Sequence, residues 1–255
     1  MRPRALFSLL GLTLALLAGG LLLARIFAVR LPAAERGRRL AERTGCFACH
    51  GAEGSRGSAN PGRTDLSVPT FEGDLMMFAR DPTEIREWIR DGMTSRRSKS
   101  ETWRAERERG ALKMPAFGDR LSAGEIEDLV ALVMAVNGMP APEDSLARHG
   151  FERGRALGCF GCHGPGGRFA RPNPGSFKGY VPSWDGEDFP ELVQSREEFD
   201  QWIESGVCER LGKNPLARRF LRRAVLTMPA YRDHLEPGDT DALWGYVQWL
   251  RNQSP

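Results

Sequence analysis

An all-α protein is the fold class this sequence predicts: two tandem helical domains following one N-terminal transmembrane helix. Three observations predict it. The 255-residue chain repeats itself in order, spacing and residue type over about a hundred positions. Apolar residues recur at helical spacing in both copies, and no convincing strand pairs appear. Ala5 to Ala24 is a run of twenty residues without a charge.

The apolar run follows Arg2 and Arg4 and ends at Arg25. Twenty helical residues at about 1.5 Å each span roughly 30 Å, the thickness of a bilayer's hydrocarbon core. A cleaved signal peptide is the alternative, but its apolar core is about 7–15 residues and ends at a small-residue site. "RLPAAER", Arg30 to Arg36, is a poor site of that kind. Residues 1–32 therefore read as an uncleaved transmembrane signal-anchor. Arginines on both flanks leave the positive-inside bias undecided. The net charge of +3 resides in the four arginines of residues 1–30, and the rest is close to neutral, which argues against a nucleic-acid binder.

The repeat sets the domain boundaries. "CFACHG" at Cys46 matches "CFGCHG" at Cys159, "NPG" at Asn60 matches "NPG" at Asn173, and "VPTF" at Val68 matches "VPSW" at Val181, all at an offset of 113. After one inserted residue the offset is 114: "EIREWIRDGM" from Glu84 matches "EFDQWIESGV" from Glu198, and "KMPAFGDRL" from Lys113 matches "TMPAYRDHL" from Thr227. "NGMPAPEDS", with Gly138, Pro140 and Pro142, stops a helix and stiffens a connection. The expected division is domain one over 33–138, a linker over 139–144 and domain two over 145–255.

Within each copy the elements follow in order. Ala33 to Arg43 and Ser145 to Ala156 read as helices leading into the cysteine motif. Pro82 opens a helix that Gly92 closes. Ser122 and Glu125 stand at capping-box spacing before a helical apolar pattern, and Asp239 and Asp241 occupy the first turn of its partner. Gly51 to Gly62 and Gly164 to Gly179 carry no periodicity and read as loops.

The repeated motif carries the chemistry. Two thiols one helical turn apart reach the two vinyl groups of a haem, and the histidine that follows lies under the iron, so C-x-x-C-H reads as covalent haem attachment. A thioredoxin-like C-x-x-C would sit near a βαβ pattern, which is absent. A zinc site would need four ligands at suitable spacing. A disulfide would leave the repeated histidine unexplained. Two such motifs predict two covalently attached haem c groups, at Cys46, Cys49 and His50 and at Cys159, Cys162 and His163. Of the other histidines, His149 aligns with Arg36 and His234 with Arg120, so neither is reproduced. Met114 and Met228 are reproduced, in "MPAFGD" and "MPAYRD". A thioether suits a low-spin iron and raises its potential, so these two are the candidate sixth ligands. The alternative is a core methionine before a proline. Met76, Met77, Met93, Met134 and Met139 have no methionine counterpart and read as core or surface filler.

A helix, C-x-x-C-H-G, a late M-P-A-F/Y and a C-terminal amphipathic helix together resemble class I c-type cytochromes, and two in tandem resemble the dihaem cytochrome c4 arrangement. The resemblance covers about residues 33–252. It implies two small helical domains, His50 and His163 as proximal ligands, and Met114 and Met228 as distal ones. It also implies N- and C-terminal helices that cross, bringing Gly37 towards Leu129 and Gly150 towards Leu243. The departures are the expected anchor and the 63 and 64 residues between each histidine and its methionine.

The extra length is basic in both copies: Arg96 to Lys113 and Arg210 to Arg223. These stretches read as solvated mixed-charge helices, as arginines for haem propionates, or as steering surfaces for an acidic redox partner. In copy two the acidic run Asp185 to Asp200 precedes the basic one. Cys208 aligns with Thr94 and reads as a free or buried thiol; a thiolate ligand is the alternative. The aligned tryptophans Trp88 and Trp202 read as core.

The expected function is single-electron transfer by a membrane-anchored dihaem c-type cytochrome, not itself an enzyme, as a tethered carrier or a fixed subunit of a respiratory or photosynthetic complex. Expected partners are membrane redox complexes (a quinol-oxidising complex, a terminal oxidase or reductase) or soluble redox proteins, with no nucleic acid and no small-molecule substrate. The expected location is the bacterial inner membrane, single-pass, with the haem domains on the periplasmic or extracytoplasmic side. The alternative is a dihaem redox enzyme, of sulfur-compound oxidation or peroxidase type, with a displaceable axial ligand.

Overall fold

The computed structural model describes residues 3–26, 28, 30–73, 75–138 and 141–253. Met139 and Pro140, part of the expected linker, lie outside the described residues. Met1–Arg30 and Leu31–Pro255 form two compact units.

The first unit holds helix α1 (Pro3–Ile26). Its reading as a transmembrane anchor is corrected here: among the described residues no helix is long and apolar enough to cross a membrane. A span takes about 20 consecutive apolar residues. The run in α1 is interrupted by Thr13, Gly19 and Gly20. Residues 1, 2, 27 and 29 of the expected anchor lie outside the described residues.

The second unit is helical, with two halves in the same order. The first half runs α2 (Ala33–Thr44), α3 (Cys46–His50), α4 (Leu75–Phe78), α5 (Pro82–Asp91), α6 (Ser95–Ser98), α7 (Glu101–Arg109) and α8 (Ala123–Asn137). The second runs α9 (Ser145–Ala156), α10 (Cys159–His163), α11 (Phe189–Leu192), α12 (Arg196–Ser205), α13 (Glu209–Lys213), α14 (Pro215–Arg223) and α15 (Asp239–Gln253). The caps follow local chemistry. Asp81 accepts from the Glu84 amide with Pro82 in the first turn, Gly92 ends α5 in the left-handed region, and Ser122 and Glu125 form a complete capping box. The two glycine-rich loops contain short 3-10 turns, Ala52–Gly54 and Pro165–Gly167, and single antiparallel bridges, Ala59 with Ser67 and Pro172 with Tyr180.

The first and last helices of each half cross closely. A Cβ on Gly37 would strike the Asp128 carbonyl and the Leu132 side chain, and one on Gly150 would strike the Ala242 carbonyl and Tyr246. Glycine is needed there because backbone meets backbone. The contacts fall on the neighbours of Leu129 and Leu243, which are themselves buried core residues.

Each half has its own apolar cluster, with one exchange. Leu40, Ile85, Ile89, Leu129, Leu132 and Val133 build the first; Phe199, Ile203, Leu243, Tyr246, Val247 and Leu250 build the second. Phe169, from the second half, is fully buried in the first cluster. Beside it Arg171 reaches across to both carboxylate oxygens of Glu53, with its guanidinium over the Phe169 ring at 5.4 Å. The halves therefore share a core.

Candidate haem sites

Each C-x-x-C-H occupies its own five-residue helix, α3 or α10, bracketed by glycines. Gly45 and Gly158 before it have φ of 80° and 77°, and Gly51 and Gly164 after it have 75° and 74°. Only glycine adopts these angles without strain. A Cβ on Gly51 would also strike the Arg56 carbonyl, and one on Gly164 the Phe169 side chain. The chain thus enters and leaves each motif sharply.

The proximal histidines are held alike. His50 donates from Nδ1 to the Pro69 carbonyl at 2.8 Å, and His163 from Nδ1 to the Pro182 carbonyl at 2.9 Å. A carbonyl can only accept, so the proton sits on Nδ1 and Nε2 keeps a free lone pair, the form that binds a metal. Burial holds both imidazoles below their ordinary pKa, which favours the neutral ring. Phe71 lies 4.8 Å from the His50 ring centroid and Trp184 lies 5.2 Å from that of His163.

No disulfide joins any of the five cysteines. Burial raises the Cys46 thiol and pushes Cys159 up to about 11, so both are protonated at neutral pH. Among the described residues no cluster of three or more His, Cys, Asp or Glu side chains is placed to hold a metal ion, which leaves the zinc alternative without a ligand set.

Met114 packs on the first cluster with Cys46, Phe47 and Trp88, and Met228 on the second with Cys159, Phe160 and Tyr231. Each candidate thioether therefore shares one apolar environment with a cysteine of its own motif. The methionine segment is clamped on both sides. Upstream, Asn60 donates from Nδ2 to the Leu112 carbonyl at 2.9 Å and accepts from the Leu112 amide at 2.8 Å. Asn173 makes the same two bonds to Leu226, each at 2.9 Å. Downstream, the Phe117 amide donates to the Ile89 carbonyl at 3.0 Å and the Tyr231 amide to the Ile203 carbonyl at 2.9 Å. Gly92 and Gly206 let the methionine carbonyls approach α5 and α12, since a Cβ at either would strike them.

Asn60 and Asn173, at 2% and 5% exposure, are the positioning residues that sequence reading missed. Their signal was the repeated "NPG" at the same offset as the cysteine motif; nothing local linked it to a segment 52 residues away. Glu84 with Arg96 and Glu198 with Arg210 form a second reproduced pair. The Arg96 guanidinium brings the Glu84 carboxyl down to about 2.

Other expected candidates fall elsewhere. Cys208 is fully buried at the start of α13, where Thr94 is buried in the first half and caps α6. His149 and His234 are exposed. Trp88 and Trp202 donate to the carbonyls of Phe78 and Leu192, both at 3.0 Å, as core braces. Arg97, at 2% exposure, lies 3.4 Å over the Trp103 ring and donates to the Phe78 and Met77 carbonyls. Its Nη1 has no protein partner, a buried donor suited to a carboxylate of a bound group.

These donors fit haem c: in each half a thiol pair, an imidazole with free Nε2, and a thioether in the same apolar cluster. Residues 32–133 match the family model described as Cytochrome C oxidase, cbb3-type, subunit III. No curated protein and no solved structure matches the chain. The matched stretch contains the first C-x-x-C-H and Met114. It supports a class I c-type cytochrome domain: an electron-transfer module with covalently bound haem c and its iron, of a kind that associates with redox partners or oxidase complexes.

Proposed function

We propose that the chain is a dihaem c-type cytochrome that passes single electrons between redox partners and is not itself an enzyme. Two domains, 33–138 and 145–255, each carry one haem. Cys46 and Cys49 bond the first, with His50 and Met114 on its iron; Cys159 and Cys162 bond the second, with His163 and Met228. The observation that carries this reading is repetition of the whole support: the carbonyl on His Nδ1, the asparagine on the methionine segment and the glycine beneath it recur in both halves.

Each haem supplies a one-electron ferric/ferrous couple. The chain's own residues do the rest. The Pro69 and Pro182 carbonyls hold each imidazole's tautomer and orientation, which a change of iron charge would otherwise disturb. The apolar clusters on which Met114 and Met228 pack would lower the local polarity and so favour the less charged state. Phe169, six residues beyond His163 and buried in the first core, supports a compact pair of haems exchanging electrons within the molecule.

We place the haem domains on the extracytoplasmic side, a location that the two C-x-x-C-H motifs support. A quinol-oxidising complex, a terminal oxidase or reductase, or a soluble redox protein serves as partner. Similarity to an oxidase subunit supports the oxidase among them. A displaceable axial ligand gains no support from Cys208, which is fully buried, or from His149, which is exposed.

Intact-mass analysis of the protein from its native host should give two haem adducts. The oxidised protein should show a methionine–iron band near ~695 nm, of which Met114→Ala and Met228→Ala each remove about half. Fewer than two adducts would sink the dihaem reading, and a wild-type protein without the band would sink the methionine ligands.

A further inference from the structure

The helix before the methionine differs sharply in charge between the halves. In α7, Glu101, Glu106 and Glu108 balance Arg104, Arg107 and Arg109, and several of these are paired: Arg109 with Glu106, and Arg107 with Glu108 at 3.5 Å; Lys113, beyond the helix, also reaches Glu108 at 3.5 Å. Helix α14, at the same place in the second half, has no acidic residue and four arginines, Arg218, Arg219, Arg222 and Arg223. All four are exposed, and none takes part in an ion pair among the described residues. Ala105 and Glu108 of α7 align with Arg219 and Arg222.

An exposed apolar strip accompanies these charges. Leu216, Val225 and Leu226 are 60%, 70% and 41% exposed. The strip continues into Thr227, Pro229 and Ala230, all exposed, on either side of half-buried Met228. Exposed apolar side chains next in sequence to unpaired cations suit docking, with charge that steers and apolar contact that closes.

We propose that this face of the second half, α14 and the segment through Ala230, docks an acidic redox protein, and that electrons enter or leave the molecule through the second haem. This rests on the dihaem reading. Charge complementarity selects the occupant: four unpaired guanidiniums in nine residues call for carboxylates, and guanidinium matches them in bidentate fashion. An anionic membrane is the poorer match. An interfacial helix must turn its apolar face outward, whereas α14 leaves only Leu216 of its large apolar residues exposed; Phe220 and Leu221 are half-buried, the Phe220 ring lying 5.1 Å from that of Phe177. The first half, with its charges internally balanced, then faces the other end of the electron path. In the docked complex one electron crosses between the partner's centre and the second iron; no bond forms or breaks and no proton moves.

The test uses the full chain and flavodoxin, a small acidic flavoprotein, as probe. Binding to immobilised flavodoxin is measured at low and high salt, alongside the second-order rate of haem reduction by its reduced form. Arg219→Glu with Arg222→Glu should weaken binding and slow reduction by about tenfold or more at low salt, with the difference shrinking at high salt. Lys99→Glu with Arg104→Glu, the same charge change on the first half, should shift both by less than about twofold. All four side chains are exposed, so the fold should persist, and the haem absorbance of each variant checks it. Equal effects from the two pairs, or none from the first pair, would overturn the proposal. Flotation of the wild type with phosphatidylglycerol vesicles, abolished by the Arg219 and Arg222 changes while flavodoxin binding is unchanged, would overturn it in favour of a membrane. A wild type lacking c-type pigment would sink the dihaem reading alone, because binding is measured independently of haem.

Discussion

In the first half, Glu106 of α7 accepts from the backbone amide of Thr64 at 2.6 Å and from the Thr64 hydroxyl, tying the helix to the loop after Asn60. In the second half the aligned residues are Phe220 and Phe177, and their rings meet edge-on at 5.1 Å. One place in the fold thus carries carboxylate–threonine hydrogen bonds in one copy and an aromatic pair in the other. Nearby, Arg97 stacked on Trp103 has Leu211 and Ala217 as its counterparts. The residues that hold the motif and the methionine segment do not vary in this way. The pre-methionine helix must be fastened to the loop, but any interaction of sufficient strength fastens it. The groups around a haem must instead supply particular atoms.

The largest break in that comparison should come from Phe169, which belongs to one half and stabilises the other. Phe169→Ala should cost about 3–5 kcal/mol. Hydrogen exchange should show the loss in α2, α5 and α8 more than in α12 and α15, and uniform loss would mean that the two cores are not separable.

Removing the asparagine latches should act equally in both halves. Asn60→Ala and Asn173→Ala each remove two hydrogen bonds, to the Leu112 or the Leu226 amide and carbonyl, a cost of about 1–3 kcal/mol. Each should also make its half of the ~695 nm band labile to mild heating, since the methionine segment loses its upstream anchor. A band unchanged in either variant would remove the positioning role.

Acid should separate the halves. Hydrogen bonds from Thr64, with help from Arg109, hold the Glu106 carboxyl down to about 2. A carboxyl depressed in the folded state stabilises above its unfolded pKa near ~4.5, and that contribution fades as pH falls towards about 2. The Phe177–Phe220 contact does not titrate. Stability of the first half should therefore fall more steeply over that window, and Glu106→Gln should flatten the difference. The smallest effect is expected from Arg171→Gln. Its partly exposed pair with Glu53 is worth about 0.2–1 kcal/mol, readable as a small loss of midpoint in a urea titration that high salt removes.

Much of this molecule is legible without coordinates. The capping box at Ser122, the glycine stop at Gly92 and the histidine one place beyond each thiol pair are interactions within a few residues, and spacing alone reveals them. The repeat helps further, because a coincidence at Cys46 becomes a pattern at Cys159. Reading the N-terminal run as a span went further than run length can carry. The charge of α14 was visible as a basic stretch, but not that its arginines stay unpaired while those of α7 find partners.

The sequence by itself determined the local chemistry: which atoms could bond a haem, where helices start and stop, and that the plan is used twice. Tertiary structure alone decided that Asn60 and Asn173 latch segments 52 and 53 residues away, that Phe169 completes the opposite core, and that Glu106 and Phe220 do one job by different means. The division has a physical reason. Periodicity and capping report contacts within about one or two helical turns. Contacts between distant residues depend on which surfaces meet once the helices pack, and no spacing rule encodes that.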